Sequence, residues 1–289
     1  MKKTVLSLFI SGFCCLSAFG QESGNSIYNQ ASPRTSPKTG VVNNNGDLII
    51  DAYVLLNAAP EEFIAVFGAA QEAPTAVESN QKVNSQIEDF LSAAERLGVK
   101  RGDTFVDFIT QNRVYNFSTD SDNVNRERLA GFETKKTISV RYKDRALFEK
   151  LVTAAARASI FDLIKVDYII NDMGTIRQRL FEAAVSAVRQ KEENYTRALG
   201  IVLKRNALLQ ETYDTHFPRE RYQIYTAFES GAVDTSYNSN SRTIRERKSR
   251  TAYLEPLDRS IFDAVINPTG VEPMVQCTLY LRINYTVAR

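Results

Sequence analysis

His216 is the only histidine of the 289 residues, and it lies between Tyr213 and Arg219 beside Phe217 and Pro218. As a general base it would need an acid partner and a nucleophile, and the chain has no Gly-x-Ser-x-Gly elbow to present one. As a metal ligand it would need companions, and no Cys/His cluster provides them. His216 is therefore expected to be a loop or strand-end residue. Cys277 carries the other reactive group, a thiol suited to redox chemistry. A reactive thiol needs an accessible, electropositive setting. Cys277 instead shares a strand face with Val275 and Leu279, which places it in the core. An enzyme or redox protein with an unrecognised site would centre on one of these two residues. No catalytic, cofactor-binding or metal-binding residue is assigned.

Two charged clusters invite other chemistry. Asp120, Asp122, Asn123 and Asn125 resemble a calcium loop, but Val124 holds the fifth position and the sixth lacks glycine, so a solvated loop is expected. Arg242, Arg245, Arg247, Lys248 and Arg250 form the densest basic run, bracketed by Tyr237 and Tyr253. Such a run suits anionic lipid headgroups, envelope glycans or an acidic neighbouring subunit. It equally suits the solvated tip of a long hairpin, where cations discourage edge pairing. Gly98 and Gly102 stand outside either nucleotide-binding fingerprint.

The elements that must carry these residues follow from periodicity. Ile176, Leu180, Ala184, Ala187, Val188, Tyr195, Ala198, Leu199 and Val202 share one face of a helix, with Lys191 the only interruption. Thr175 and Gln178 form a capping box that predicts its start, and a run to Leu203 would span roughly 42 Å. A second helix follows the Thr75/Glu78 capping box and stops at Gly98. Asp144 is expected to cap a third, shorter one. Alternation predicts strands at Leu48–Leu56 and Phe63–Ala69, joined as a hairpin across Asn57–Pro60. Further strands are expected at 104–117 (long or bent), 132–142, 161–170, 208–212, 222–228, 251–254 and 274–287, with a loop at 118–128. In the last strand Val275, Cys277, Leu279, Leu281, Ile283, Tyr285 and Val287 alternate with polar residues. One apolar and one polar face imply an α+β fold: a mostly antiparallel sheet with three helices packed on one face. Residues 203–289 are expected to form a strand-rich extension, possible as a subdomain of a 47–289 domain.

The chain opens with Lys2 and Lys3, an apolar run from Val5 to Phe19, and small residues at Ala18 and Gly20, the pattern of an export signal cleaved before Gln21. Cys14 and Cys15 carry the alternative of a lipid-anchored envelope protein. Residues 21–46 are rich in Ser, Asn, Pro and Gly and are expected to form a flexible tether. No other stretch is long and apolar enough for a transmembrane helix. Loss of Lys2 and Lys3 lowers the basic count from 36 to 34, equal to the 34 acidic residues, so nucleic acid is not an expected partner. Cleavage would leave Cys277 alone, so the fold must stand without an intramolecular disulfide.

Asn57–Ala65, Thr75–Ser79, Leu97–Val99 and Asp103–Thr104 recur in order in the first half. Gly131–Phe132–Glu133, Ser139–Val140–Arg141, Leu163–Asn171 and Ala198–Leu199–Gly200 follow in the second. This order resembles the SIMPL-domain family of periplasmic immunogenic and oxidative-stress-associated bacterial proteins, over about Leu48–Glu211 and again in the final strand. Two departures stand out. Pro60–Glu61 replaces the family's Pro-Asp, and its glycine near the end of the short helix is replaced around Ser159, where a different turn is expected. Residues 213–270 look longer and more polar than the family pattern. The resemblance implies an exported α+β protein that self-associates, in some members into ring- or channel-like assemblies, and it implies no catalytic residue. The function expected is that of a non-enzymatic periplasmic or envelope-associated homo-oligomer serving as a structural or interaction module, linked to envelope or oxidative stress.

Overall fold

A computed structural model describes residues 41–44, 47–119, 124–226, 250–268 and 272–288. In chain order these form β1 (Val41–Asn44), β2 (Asp47–Ala58), β3 (Glu62–Ala73), α1 (Ala76–Arg96), β4 (Thr104–Thr119), β5 (Asn125–Tyr142) and α2 (Leu147–Arg157). They continue with β6 (Asp162–Ile169), α3 (Met173–Leu199), β7 (Val202–His216), β8 (Tyr222–Thr226), β9 (Arg250–Leu254), β10 (Ala264–Ile266) and β11 (Val275–Ala288). The chain divides into two compact units; the larger spans Ser36–Gln223 and Tyr253–Arg289. Of the smaller, the described residues are 224–226 and 250–252, parts of the paired strands β8 and β9. No helix among the described residues is long and apolar enough to cross a membrane.

The α+β class is as the sequence predicts, but the strands of the larger unit divide between two sheets rather than one. In the first, β2 lies between β11 and an edge shared by β1 and β10, and β7 flanks β11. The second runs β4-β5-β3-β6, antiparallel throughout. The predicted β2–β3 hairpin does not form. Every residue of β3 from Phe63 to Ala73 pairs with β5, whereas β2 pairs with β11 from Asp47 to Ala58. Pro60 therefore marks a passage between sheets. The second sheet is built wholly from residues 62–169, an insertion between β2 and α3. Strand β1 starts at Val41, inside the stretch read as a tether, and pairs antiparallel with β2.

Each sheet buries one face under its own helices, because strand alternation presents apolar side chains every second residue. Phe63, Ala65, Phe67 and Ala69 of β3 and Ile138 and Val140 of β5 meet Val83, Ile87, Phe90 and Leu91 of α1 and Leu151 and Ala155 of α2. The Phe67 and Phe90 rings meet edge to face, 5.1 Å apart. Polar groups within this layer are paired. Ser79 and Thr134 share a hydroxyl hydrogen bond of 2.8 Å, and Gln86 Nε2 donates to the Ser159 carbonyl at 2.6 Å. In the other core, Ile50, Ala52, Val54 and Leu56 of β2 and Cys277, Leu279, Leu281 and Tyr285 of β11 lie under Ile176, Leu180, Ala184 and Val188 of α3.

Helix α3 begins three residues before the predicted capping box. Asp172 is the N-cap; its carboxylate accepts from Thr175 N at 2.9 Å and Thr175 Oγ1 at 2.6 Å. The helix ends at Leu199 because Gly200 turns left-handed at φ 64°, so the distal part of the predicted stripe, Leu199 and Val202, is exposed. Asp144 does not cap α2. Its carboxylate accepts from Ala146 N in the preceding turn, and the N-cap is Ala146 with no side-chain bond. Ser159 adopts φ 60°, so the turn after α2 places a residue other than glycine in the left-handed region.

Candidate interaction surface

Lys191 breaks the apolar stripe of α3 for a structural reason. Between the stretches of β2 paired with β1 and with β10, residues 51–53 have no strand along that edge. Asp263 replaces it: its N–H donates to the Tyr53 carbonyl at 2.7 Å, and its carboxylate accepts from Tyr53 N at 2.8 Å. Lys191 Nζ then donates to the Asp51 carbonyl at 2.7 Å and pairs with Asp263 at 2.6 Å. On the far face of the sheet, the Asp51 carboxylate takes two bonds from Arg282, at 2.7 and 2.9 Å. The face predicted to be simply polar is closed at one end. Gln276 and Thr278 are buried there, Gln276 accepts from Leu257 N at 2.7 Å, and Phe262 lies 4.4 Å from Tyr53. These charges hold layers together and are spent on one another.

The two reactive groups named from the sequence are adjacent in the sheet yet separated by it. His216 is opposite Gln276 and Cys277 opposite Thr215, so their side chains leave opposite faces. Cys277 is buried, as expected, and burial pushes its thiol above the usual range, against a smaller opposing effect from its hydrogen bond with Thr215. His216 is half-buried at the end of β7. Among the described residues, no group of three or more His, Cys, Asp or Glu side chains could hold a metal ion. Of the calcium-like loop, Asp120, Asp122 and Asn123 lie outside the described residues; Asn125 opens β5 and accepts from Thr119 Oγ1 at 2.7 Å. Arg242, Arg245, Arg247 and Lys248 also lie outside them, and Arg250 is exposed at the start of β9.

A groove of about 870 Å³ separates α1 from α2, floored by Ala93, Leu97, Ala154 and Ala158. Asp89, Arg96, Glu149, Lys150 and Arg157 stand along it with both signs of charge mixed. This surface selects for neither anions nor cations.

The edges of the second sheet are a different case. Among the described residues, strand β4, sixteen residues long, is paired on one side only. The strand is longer than its alternation predicts, which ends at residue 117. It continues to Thr119 against Asn125–Leu129, beyond the end of β3, as a two-stranded arm where a loop was expected. Along β4, Phe105 (65% exposed), Phe108 (55%) and Ile109 (52%) face solvent, as do Tyr115 and Phe117 farther out and Leu129 on the arm's second strand. Together they expose about 700 Å² of apolar surface, taking about 200 Å² for each full side chain. This area is divided between the two faces of the strand: Phe105 stands opposite Ser139 on the face away from the helices, and Phe108 opposite Lys136 on the helix face. The opposite edge is apolar at its beginning: Phe161, just before β6, is 78% exposed, and Leu163 and Ile164 follow it, whereas farther along Arg219 bonds Asp167 at 3.1 Å. Neither segment contains a proline, the residue that commonly blunts an edge.

The fold and its surface thus define an α+β protein whose larger unit carries two sheets, with apolar edges unpaired among the described residues and internally neutralised buried charges. Residues 51–248 match the model of the SIMPL family, described as a protein of unknown function (DUF541), and the chain belongs to that family. The match takes in residues 213–248 of the 213–270 stretch that looked longer and more polar than the family pattern, and it ends before the rest. A comparison with curated proteins finds no match.

Proposed function

We propose that the protein is exported and acts, without catalysing a reaction, as a self-associating structural or interaction module of the periplasm or cell envelope, serving the response to envelope or oxidative stress. The observation that carries this reading is the pair of unpaired apolar edges on the four-stranded sheet. Long exposed edges of this kind are ready templates for another strand. The leader at Lys2–Gly20 supports export, and the arginine-rich run from Arg242 to Arg250 supports contact with anionic envelope components. The burial of Cys277 and its separation from His216 weigh against the redox or enzymatic alternative.

Light scattering of the purified protein after gel filtration tests the reading. Oligomers at micromolar concentration are expected, and a strict monomer sinks it. Mass spectrometry of the mature N-terminus tests export: Gln21, free or cyclised, supports cleavage. A lipidated cysteine would instead place the protein on a membrane.

A further inference from the structure

We propose that copies of this chain join edge to edge through the four-stranded sheet, β6 of one lying antiparallel to β4 of the next. In this register Lys165 stands opposite Asp107 of the next copy, and Leu163 lies beside its Phe108. The proposal rests on the self-association reading and adds the surface and the register.

The direction follows from the strand count. Four antiparallel strands leave β4 and β6 running in opposite senses. A second copy in the same orientation therefore meets the first through an antiparallel pair, its helices on the same side. The register follows from an irregularity at each edge. β4 has an extra residue, Ile109, between Phe108 and Thr110, and β6 has one, Ile164, between Leu163 and Lys165. An extra residue shifts the phase between side chains and sheet face, so a regular partner strand would match on one side of it only. Aligning the two irregularities restores the match on both sides.

The faces then agree position by position. Val166 and Leu163 lie opposite Ala65 and Phe67 of the core, and Val106 and Phe108 share the face of Ile138 and Ala69. Apolar residues thus meet apolar residues on the helix side. Lys165 and Asp107 both belong to the other face, where opposite charges meet. Lys165 already bonds Asp167 at 2.7 Å; the carboxylate of Asp107 would be its second partner. A two-fold pairing of β4 with itself would leave the Phe161–Ile164 edge uncovered. Insertion into lipid would leave the edge N–H and C=O groups unsatisfied in hydrocarbon.

Cysteine cross-linking in the full chain, with Cys14→Ser and Cys15→Ser as background, tests the geometry. Under mild oxidation, the Phe108→Cys/Leu163→Cys variant is expected to give a ladder of covalent oligomers. A mixture of the two single variants should give dimers only, and each single variant alone should give none. Dimers from Phe108→Cys alone would overturn the proposal in favour of two-fold pairing. An oligomer by light scattering with no cross-link in any variant would overturn it too, leaving self-association intact; a monomeric parent protein would remove the self-association reading itself. Asp107→Lys and Lys165→Asp should each weaken association about fivefold, as expected for an exposed ion pair. The double reversal should restore it, a rescue that misfolding cannot produce. Equal association in all three would overturn the register.

Discussion

Replacing Lys191 by methionine removes one charge while keeping the stem packed, and its effect follows from the geometry. Side-chain exposure is 22% for Lys191 and 10% for Asp263, so both charges are largely withdrawn from water. Lys191→Met leaves the Asp263 carboxylate with the Tyr53 N–H as its described donor and leaves the Asp51 carbonyl without its donor. Breaking a buried pair costs about 3–5 kcal/mol, and an orphaned carbonyl about 1–3 kcal/mol. Residual exposure and entry of water reduce the total to about 2–4 kcal/mol. Equilibrium urea unfolding at fixed protein concentration measures it, since association would otherwise shift the midpoint. Asp263→Asn should cost less, because an amide still faces Lys191, and the Lys191→Met/Asp263→Asn pair should be non-additive by about 1–3 kcal/mol. A loss below about 0.5 kcal/mol in Lys191→Met, the range of an ordinary surface substitution, would refute the role given to this lysine.

Ser159→Gly should stabilise the protein by about 1 kcal/mol in thermal or urea unfolding, by relieving the left-handed φ of 60°. Gly131→Ala should destabilise it by about 1–3 kcal/mol, since the new Cβ would lie 2.5 Å from the Ala73 carbonyl oxygen where β3 leaves the sheet. Cys277 should resist thiol reagents in the native state and react fully in denaturant; rapid native labelling would contradict its burial. Burial pushes the phenols of Tyr142, Tyr168, Tyr213 and Tyr280 up to about 12. Unfolded tyrosine ionises near about 10, so the native state holds these protons longer and the stability they contribute is full below about pH 10. That contribution is lost as the pH rises toward 12, and alkaline titration of the phenolate absorbance beside unfolding curves should show the two changes together.

Local chemistry made much of the fold legible. The Thr75/Glu78 box starts α1, with Glu78 N donating to Thr75 Oγ1 at 3.2 Å, and the alternation of β11 marks its buried face residue by residue. Periodicity says which face is apolar but not which strand lies alongside, so β2 and β3 read as a hairpin although their partners lie farther along the chain. Competing caps explain the misplaced start of α3: Thr175 fits the capping pattern, but Asp172, three residues earlier, is a charged acceptor that takes the Thr175 N–H itself and begins the helix there. The apolar edge of β4 was harder to find, because its aromatic residues look like core until the neighbouring strands are counted. Lys191 was the one local anomaly that pointed to its own explanation.

The insertion of residues 62–169 between β2 and α3 also orders the birth of the fold. Everything its four strands and two helices need has been synthesised once Ile169 is made, and its widest pairing, Glu62 with Ile169, spans 107 residues. β2 must wait for β11: Asp51 meets Arg282 across 231 residues of chain. During synthesis, one half can be complete while the other still exposes its apolar strand. A chain cut short before Val275 would keep the finished half and leave β2 searching for a partner. The last fourteen-residue strand therefore acts as the clasp of the molecule, closing a core whose first strand was made at the beginning.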